Sequence, residues 1–169
     1  MAFVIVVEDG TGLPTANAFA SVETVDAILE LNIHSNWELA GENKEKLIGW
    51  ATRLLNQHVR WFGTRKYETS GTPFPRSNLR NDDGGFYPDD AIPSELEEAT
   101  AILADFLLTT DPTVVNSASN LKQIDVDVIS LRFDNLDRPE KWPLSLSKLL
   151  RNLGRVGFSS TGGKPIIRA

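Results

Sequence analysis

Cysteine is absent from the 169 residues, which rules out a disulfide framework and every thiolate metal site. Histidine occurs only as His34 and His58, and neither lies in a catalytic or metal-ligating motif. With so few imidazoles and only scattered serines, no nucleophilic triad is expected, and no catalytic residue, metal site or cofactor is assigned. No apolar run approaches the ~20 residues that cross a bilayer. The apolar segment after Met1 has neither a basic region nor a small-residue cleavage pattern, so the expectation is a soluble protein made in the cytoplasm, with no membrane partner.

Two glycine motifs fail as phosphate-binding loops. Thr161-Gly162-Gly163-Lys164 has Phe158 where a P-loop needs its first glycine and Pro165 where it needs Ser or Thr. Asp9-Gly10-Thr11-Gly12 has Thr15 in place of the third glycine of a dinucleotide fingerprint. The carboxylates Asp82, Asp83, Asp89 and Asp90 lack the alternation, central glycine and distal glutamate of a calcium loop, and turn formation accounts for them.

What remains is ordinary globular material, 41% hydrophobic and 24% charged, in a chain long enough for one domain with a sizeable core. The expected organisation is a helical core over about 20–155, an N-terminal strand and turn arm over 1–20, and a Gly- and Ser-rich C-terminal arm over 156–169. In the N-terminal arm, Phe3-Val4-Ile5-Val6-Val7 feeds Glu8-Asp9-Gly10-Thr11-Gly12, where two glycines allow positive φ and Asp9 can bond the backbone ahead of it.

Ser21 is expected to cap a first helix carrying Val22, Val25, Ile28 and Leu29, with Trp37 folded back over the helix ends from the following connection. The spacing of Leu47, Ile48, Ala51, Leu54, Leu55, His58 and Phe62 predicts a long second helix ending at Gly63. Residues 67–93 hold four prolines and three glycines, a loop long enough to carry a hairpin around Asp83-Gly84-Gly85. Ser94 and Glu97 suggest a capping box for a third helix with Leu96, Ala99, Leu103, Phe106 and Leu107 inward. Residues 122–134 alternate as strands with a bulge or turn at Val128-Ile129, and Pro143 opens a last helix carrying Leu146, Leu149, Leu150 and Leu153, closed by Gly154. The fold class is therefore mainly α: about four helices, a long projecting loop or β-hairpin, a short strand pair near 122–134, and extended arms.

The net charge of −6 hides a split. Residues 53–80 hold six basic side chains and one acid, residues 81–121 hold nine acids and no Lys or Arg, and residues 148–169 hold five basic side chains and no acid. That asymmetry suits nucleic-acid contact, charge-complementary contact between copies, or simply solvated helix faces. Trp50, Trp61, Phe62, Tyr67 and Phe74 interleave with Arg53, Arg60, Arg65, Lys66 and Arg76, the mixture that single-strand binders use.

Four separated stretches carry a resemblance. They are residues 7–21; Ala51-Thr52-Arg53-Leu54-Leu55 with Val59-Arg60-Trp61-Phe62-Gly63-Thr64-Arg65; Phe74-Pro75-Arg76-Ser77 with Asp90-Ala91-Ile92-Pro93 and Glu98-Ala99-Thr100; and the Leu-rich residues 144–153. In this order the chain resembles the head-to-tail connector (adaptor or head-completion) proteins of tailed phages, a family also labelled DnaT-like single-stranded-DNA-binding. Phe74 stands where that family more often has Trp, and Phe19-Ala20 also departs from its wording.

The resemblance implies a virion structural protein, made in the host cytoplasm, that forms a homo-oligomeric ring in the neck. Its partners there would be the portal protein, the next neck or tail protein, and double-stranded DNA passing without sequence-specific binding. A net acidic subunit suits such a channel, because carboxylates repel phosphates. A ring needs a joint between unlike faces, and Arg65, Phe74, Pro75, Arg76, Asp89 and Asp90 are the candidate joint residues. Phe158, Lys164, Ile166, Ile167 and Arg168 are the candidate arm that binds the portal or a neighbour. A single-stranded-DNA-binding replication accessory is the alternative.

Overall fold

A computed structural model describes residues 3–113, 123–126, 129–132 and 142–157. In chain order the elements are α1 (Val22–Glu30), a 3-10 segment (Trp37–Asn43), α2 (Lys44–His58), β1 (Val59–Trp61), β2 (Thr64–Arg65), β3 (Arg76–Ser77), α3 (Ser94–Thr109), β4 (Gln123–Val126), β5 (Ile129–Arg132), α4 (Leu144–Leu149) and β6 (Gly154–Val156). The protein is mainly helical with small antiparallel strand pairs, as the periodicities predict. Helix α3 lies at the centre, packing on α1, α2 and α4 through buried Leu96, Ala99, Leu103, Ala104 and Leu107. No helix among the described residues is long and apolar enough to cross a membrane.

Helix α1 starts where expected, because the Ser21 hydroxyl accepts the Thr24 amide at 3.1 Å and satisfies a first-turn donor. Trp37 folds back as an anchor. It is buried, and its indole N–H donates to Asp26 of α1. Helix α2 buries Leu47, Ile48, Ala51, Leu54 and Leu55 but stops at His58, four residues short of the expected Phe62. The chain then extends, because Val59, Arg60 and Trp61 find a partner in β6, with Val59 opposite Val156, Arg60 opposite Arg155 and Trp61 opposite Gly154. Gly154 therefore opens a strand rather than closing α4, and buried Leu150 and Leu153 form the turn between them.

The capping box at α3 does not form. Pro93 is the cap residue, with φ −60° and ψ 136°, and Ser94 already lies in the first turn with its hydroxyl 3.4 Å from Glu95. The pyrrolidine ring fixes the φ from which the helix departs, so the serine is one position too late to cap. Strands β4 and β5 form the pair expected near 122–134, with Val126 opposite Ile129; Val128, where the phase change was placed, lies outside the described residues.

The N-terminal stretch is extended but does not stand away from the domain. Val7 bridges Ala18, the Glu8 amide donates to the Ala18 carbonyl at 3.0 Å, and Ala16, Ala18, Phe19 and Ala20 are buried. The loop over 67–93 is likewise anchored through buried Ser70, Thr72, Phe74 and Leu79. The Phe74 ring meets Phe19 and Trp61 edge-on at centroid distances of 5.8 and 5.0 Å. The part that projects is the exposed tip beyond Asn81. There Arg80 bridges Phe86 and the Asn81 amide donates to the Gly85 carbonyl at 3.0 Å, so the expected hairpin around Asp83-Gly84-Gly85 is present and short.

Candidate functional site

The loop residues expected at a subunit joint are engaged within the chain. Arg65 donates from Nη2 to the carbonyls of Ser70 and, at 3.0 Å, Thr72. Arg76 donates to three more carbonyls: Phe62 at 2.6 Å, Pro73 at 3.1 Å and Gly63 at 2.9 Å. Burial, with Arg65 adding repulsion, holds the Arg76 guanidinium below its ordinary pKa. Asp89 pairs with Lys66 at 2.9 Å and with the Ser77 hydroxyl at 3.2 Å, and these contacts hold its carboxyl below the usual range. Phe74 and Pro75 are buried, whereas Asp90 is exposed. Part of the basic block thus meets the acidic block inside one subunit. Phe158, Lys164, Ile166, Ile167 and Arg168 lie outside the described residues.

Glu8, which the sequence leaves anonymous, holds this region together. Its carboxylate is 2% exposed and accepts the amides of Gly10 at 3.0 Å and Gly12 at 2.8 Å on one oxygen, and the Ser70 hydroxyl at 3.0 Å on the other. Both glycines have positive φ, and a Cβ on Gly10 would lie 1.9 Å from the Asp90 carbonyl oxygen. Asp9 bonds the Thr11 amide at 2.9 Å, as its turn chemistry predicts.

Two surfaces of opposite sign lie near the two ends of α2, which are ~22 Å apart at 1.5 Å per residue. At the C-terminal end stands the β1–β6 ribbon. Its inner face carries Val59 and Gly154, both buried, while Arg60 and Arg155 sit directly opposite each other and are exposed. Neither has a carboxylate partner among the described residues. Phe62 extends the ribbon, its amide donating to the Leu153 carbonyl at 2.8 Å, and its ring is 44% exposed. By the two-residue period of a strand it shares the face of Arg60.

At the N-terminal end the sign reverses. A groove of about 640 Å³ between α1 and the 3-10 segment is lined by Glu23, Asp26, Glu30 and Glu38. Asp26 is partnered: burial works to raise its carboxyl, but Lys44 at 2.8 Å and the Trp37 indole outweigh it and hold the group below its ordinary value. Glu30 and Glu38 are exposed and have no cation partner among the described residues. Beside them Leu31 and Ile33 are 87% and 90% exposed.

The outer face of α2 carries a second groove, of about 700 Å³, lined by Phe3, Trp50, Lys46, Arg53, Asn56 and Gln57 among others and by no carboxylate. The Asn56 Oδ1 is buried there without a hydrogen-bond partner. Among the described residues no cluster of His, Asp and Glu is placed to hold a metal ion. What these surfaces offer chemically is charge, aromatic faces and apolar area. Sequence reasoning named Arg60 and missed Arg155, Glu30 and Glu38. The signal for the ribbon was present in the in-out alternation of Val59-Arg60-Trp61 and Gly154-Arg155-Val156.

Comparison with curated proteins and with solved structures returned no match. One family model, described as "Putative DnaT-like ssDNA binding protein", matches residues 3–169 and so spans nearly all of the chain. The N-terminal turn, the helical core and the ribbon all fall within that match, and the chain belongs to this DnaT-like family.

Proposed function

We propose that the protein is a structural subunit of a tailed-phage head-to-tail connector, a ring that docks on the portal and lets double-stranded DNA pass. The observation that carries this reading is the placement of opposite charge at opposite ends of α2, with unpaired arginines at one end and unpaired glutamates at the other. A subunit so polarised favours head-to-tail contact with unlike faces, the contact that closes into rings. The resemblance of residues 7–21, 51–65 and 74–100 to connector proteins supports the same reading. Its place would be the virion neck, after assembly in the host cytoplasm, with the portal and the next neck or tail protein as partners. Electron microscopy of the full chain mixed with its portal tests this: rings on the portal are expected, and bare portals at saturating protein would sink the reading.

A second reading, single-stranded-DNA binding in replication, draws on the family description and on the α2 groove, where Phe3 and Trp50 offer stacking and Lys46 and Arg53 offer charge without a carboxylate. A salt titration separates the two. A single-strand binder loses affinity steeply with salt, with a log–log slope of about −0.7 per phosphate contacted, whereas a connector shows little binding at physiological salt.

A further inference from the structure

Arg60 and Arg155 pose a physical problem. Like charges directly opposite on an antiparallel pair are destabilising, yet this ribbon sets Arg60 and Arg155 at facing, exposed positions, next to a half-exposed Phe62. Nothing within the described residues compensates them. At the other end of α2, Glu30 and Glu38 are equally uncompensated in their groove, and Leu31 and Ile33, which follow Glu30 in the chain, are exposed. Exposed apolar residues rimmed by charge mark contact surfaces. The two surfaces are complementary in sign and each brings apolar area, and the helix between them keeps one subunit from satisfying both by itself.

We infer that the Arg60–Arg155 ribbon of one copy seats on the Glu30 and Glu38 groove of a second copy, with Phe62 packed against Leu31 and Ile33. This rests on the connector reading and moves its joint away from the loop, whose Arg65, Arg76 and Asp89 are already engaged within the subunit. Facing carboxylates would relieve the like-charge opposition of the arginines and fix the register of the contact. Because the two surfaces lie at opposite ends of α2, each copy leaves one of each open, and the contact propagates from subunit to subunit.

The test is charge reversal in the full-length protein. R60E/R155E and E30K/E38K are each examined for self-association by analytical ultracentrifugation at low salt, and for ring formation on portal-containing heads. Circular dichroism and Tm confirm folding. Each reversed variant is expected to lose association by about tenfold or more, and an equimolar mixture of the two to recover it, since each supplies the sign the other lost. Folded variants that associate like the wild type would overturn the inference, as would a mixture that fails to recover, or a wild type that associates in neither setting. Loss of oligo-dT binding by R60E/R155E with copy-to-copy association unchanged would also overturn it, by making the ribbon a nucleic-acid contact. Rings formed on portals by both variants would sink this joint and leave the connector reading intact. Wild-type association through this joint without portal docking would do the reverse.

Discussion

Replacing Glu8 by alanine removes one side chain and strands the donors it gathers. The Gly10 and Gly12 amides would lose a shared acceptor at 3.0 and 2.8 Å inside a site where the side chain is 2% exposed, and the Ser70 hydroxyl would keep its bonds to the Phe74 carbonyl at 3.1 Å and from the Thr72 amide at 3.3 Å. An unsatisfied buried donor costs about 1–3 kcal/mol, so two of them, partly relieved by water entering the space, place the loss at roughly 3–5 kcal/mol. Against a total stability of about 5–15 kcal/mol that is a large share. At about 2–4 °C per kcal/mol for a chain of this size, Tm should fall by roughly 10–15 °C. Glu8→Gln keeps one oxygen for both amides but puts an NH2 where the Ser70 hydroxyl donated, and with the lost charge assistance costs a smaller amount, about 1–2 kcal/mol. Urea unfolding followed by tryptophan fluorescence measures both variants, and Trp61 lies against Phe74 beside the affected loop. A loss below about 1 kcal/mol for Glu8→Ala, or equal losses for the two variants, would refute the role given to this carboxylate.

Arg76→Ala should destabilise the fold by roughly 2–3 kcal/mol, because three carbonyls lose a charged donor; an equilibrium unfolding curve indistinguishable from wild type would contradict this. Charge reversal there is accordingly expected to compromise folding and not assembly alone. Asp26→Ala should cost about 1–3 kcal/mol at neutral pH by leaving the buried Trp37 indole N–H without its acceptor, and Asp26→Asn distinctly less. Since the Asp26 carboxyl titrates below its ordinary value of 3.8 in the folded protein, its electrostatic contribution is present above that pH and is lost as pH falls through the folded value; thermal melts from pH 7 to pH 3 should show the gap between wild type and Asp26→Asn narrowing. Glu97 behaves oppositely. Burial raises its pKa, so its ionised form works against folding as pH rises through and above 4.5, and Glu97→Gln should be slightly stabilising at pH 7 and neutral below that range; a lower Tm at pH 7 would count against it.

Local features of the chain determined a good deal. Ser21 starts α1 because its hydroxyl reaches a first-turn amide three residues on, and the apolar stripe of α2 lies inward because its members recur every three or four residues. The turn at Asp9, the short hairpin at Gly84, the anchoring of Trp37 and the pairing of 123–126 with 129–132 are contacts between near neighbours, and each was legible for that reason. The charge blocks were legible as counts, but where each charge points was not.

Tertiary structure decided the rest. Helix α2 ends at His58 because Val59 finds Val156 across the ribbon, 97 positions further along the chain, and no local window contains that partner. The same distance hides the confrontation of Arg60 with Arg155. Glu8 gathers Ser70 from 62 residues away, and Arg76 reaches back 14 residues to Phe62, so a carboxylate with no motif becomes the centre of the loop and an arginine that reads as a surface contact becomes part of the fold. Periodicity and turn chemistry act over a few residues and are written in order along the chain. Which charges are neutralised and which stay open is settled only when distant segments meet.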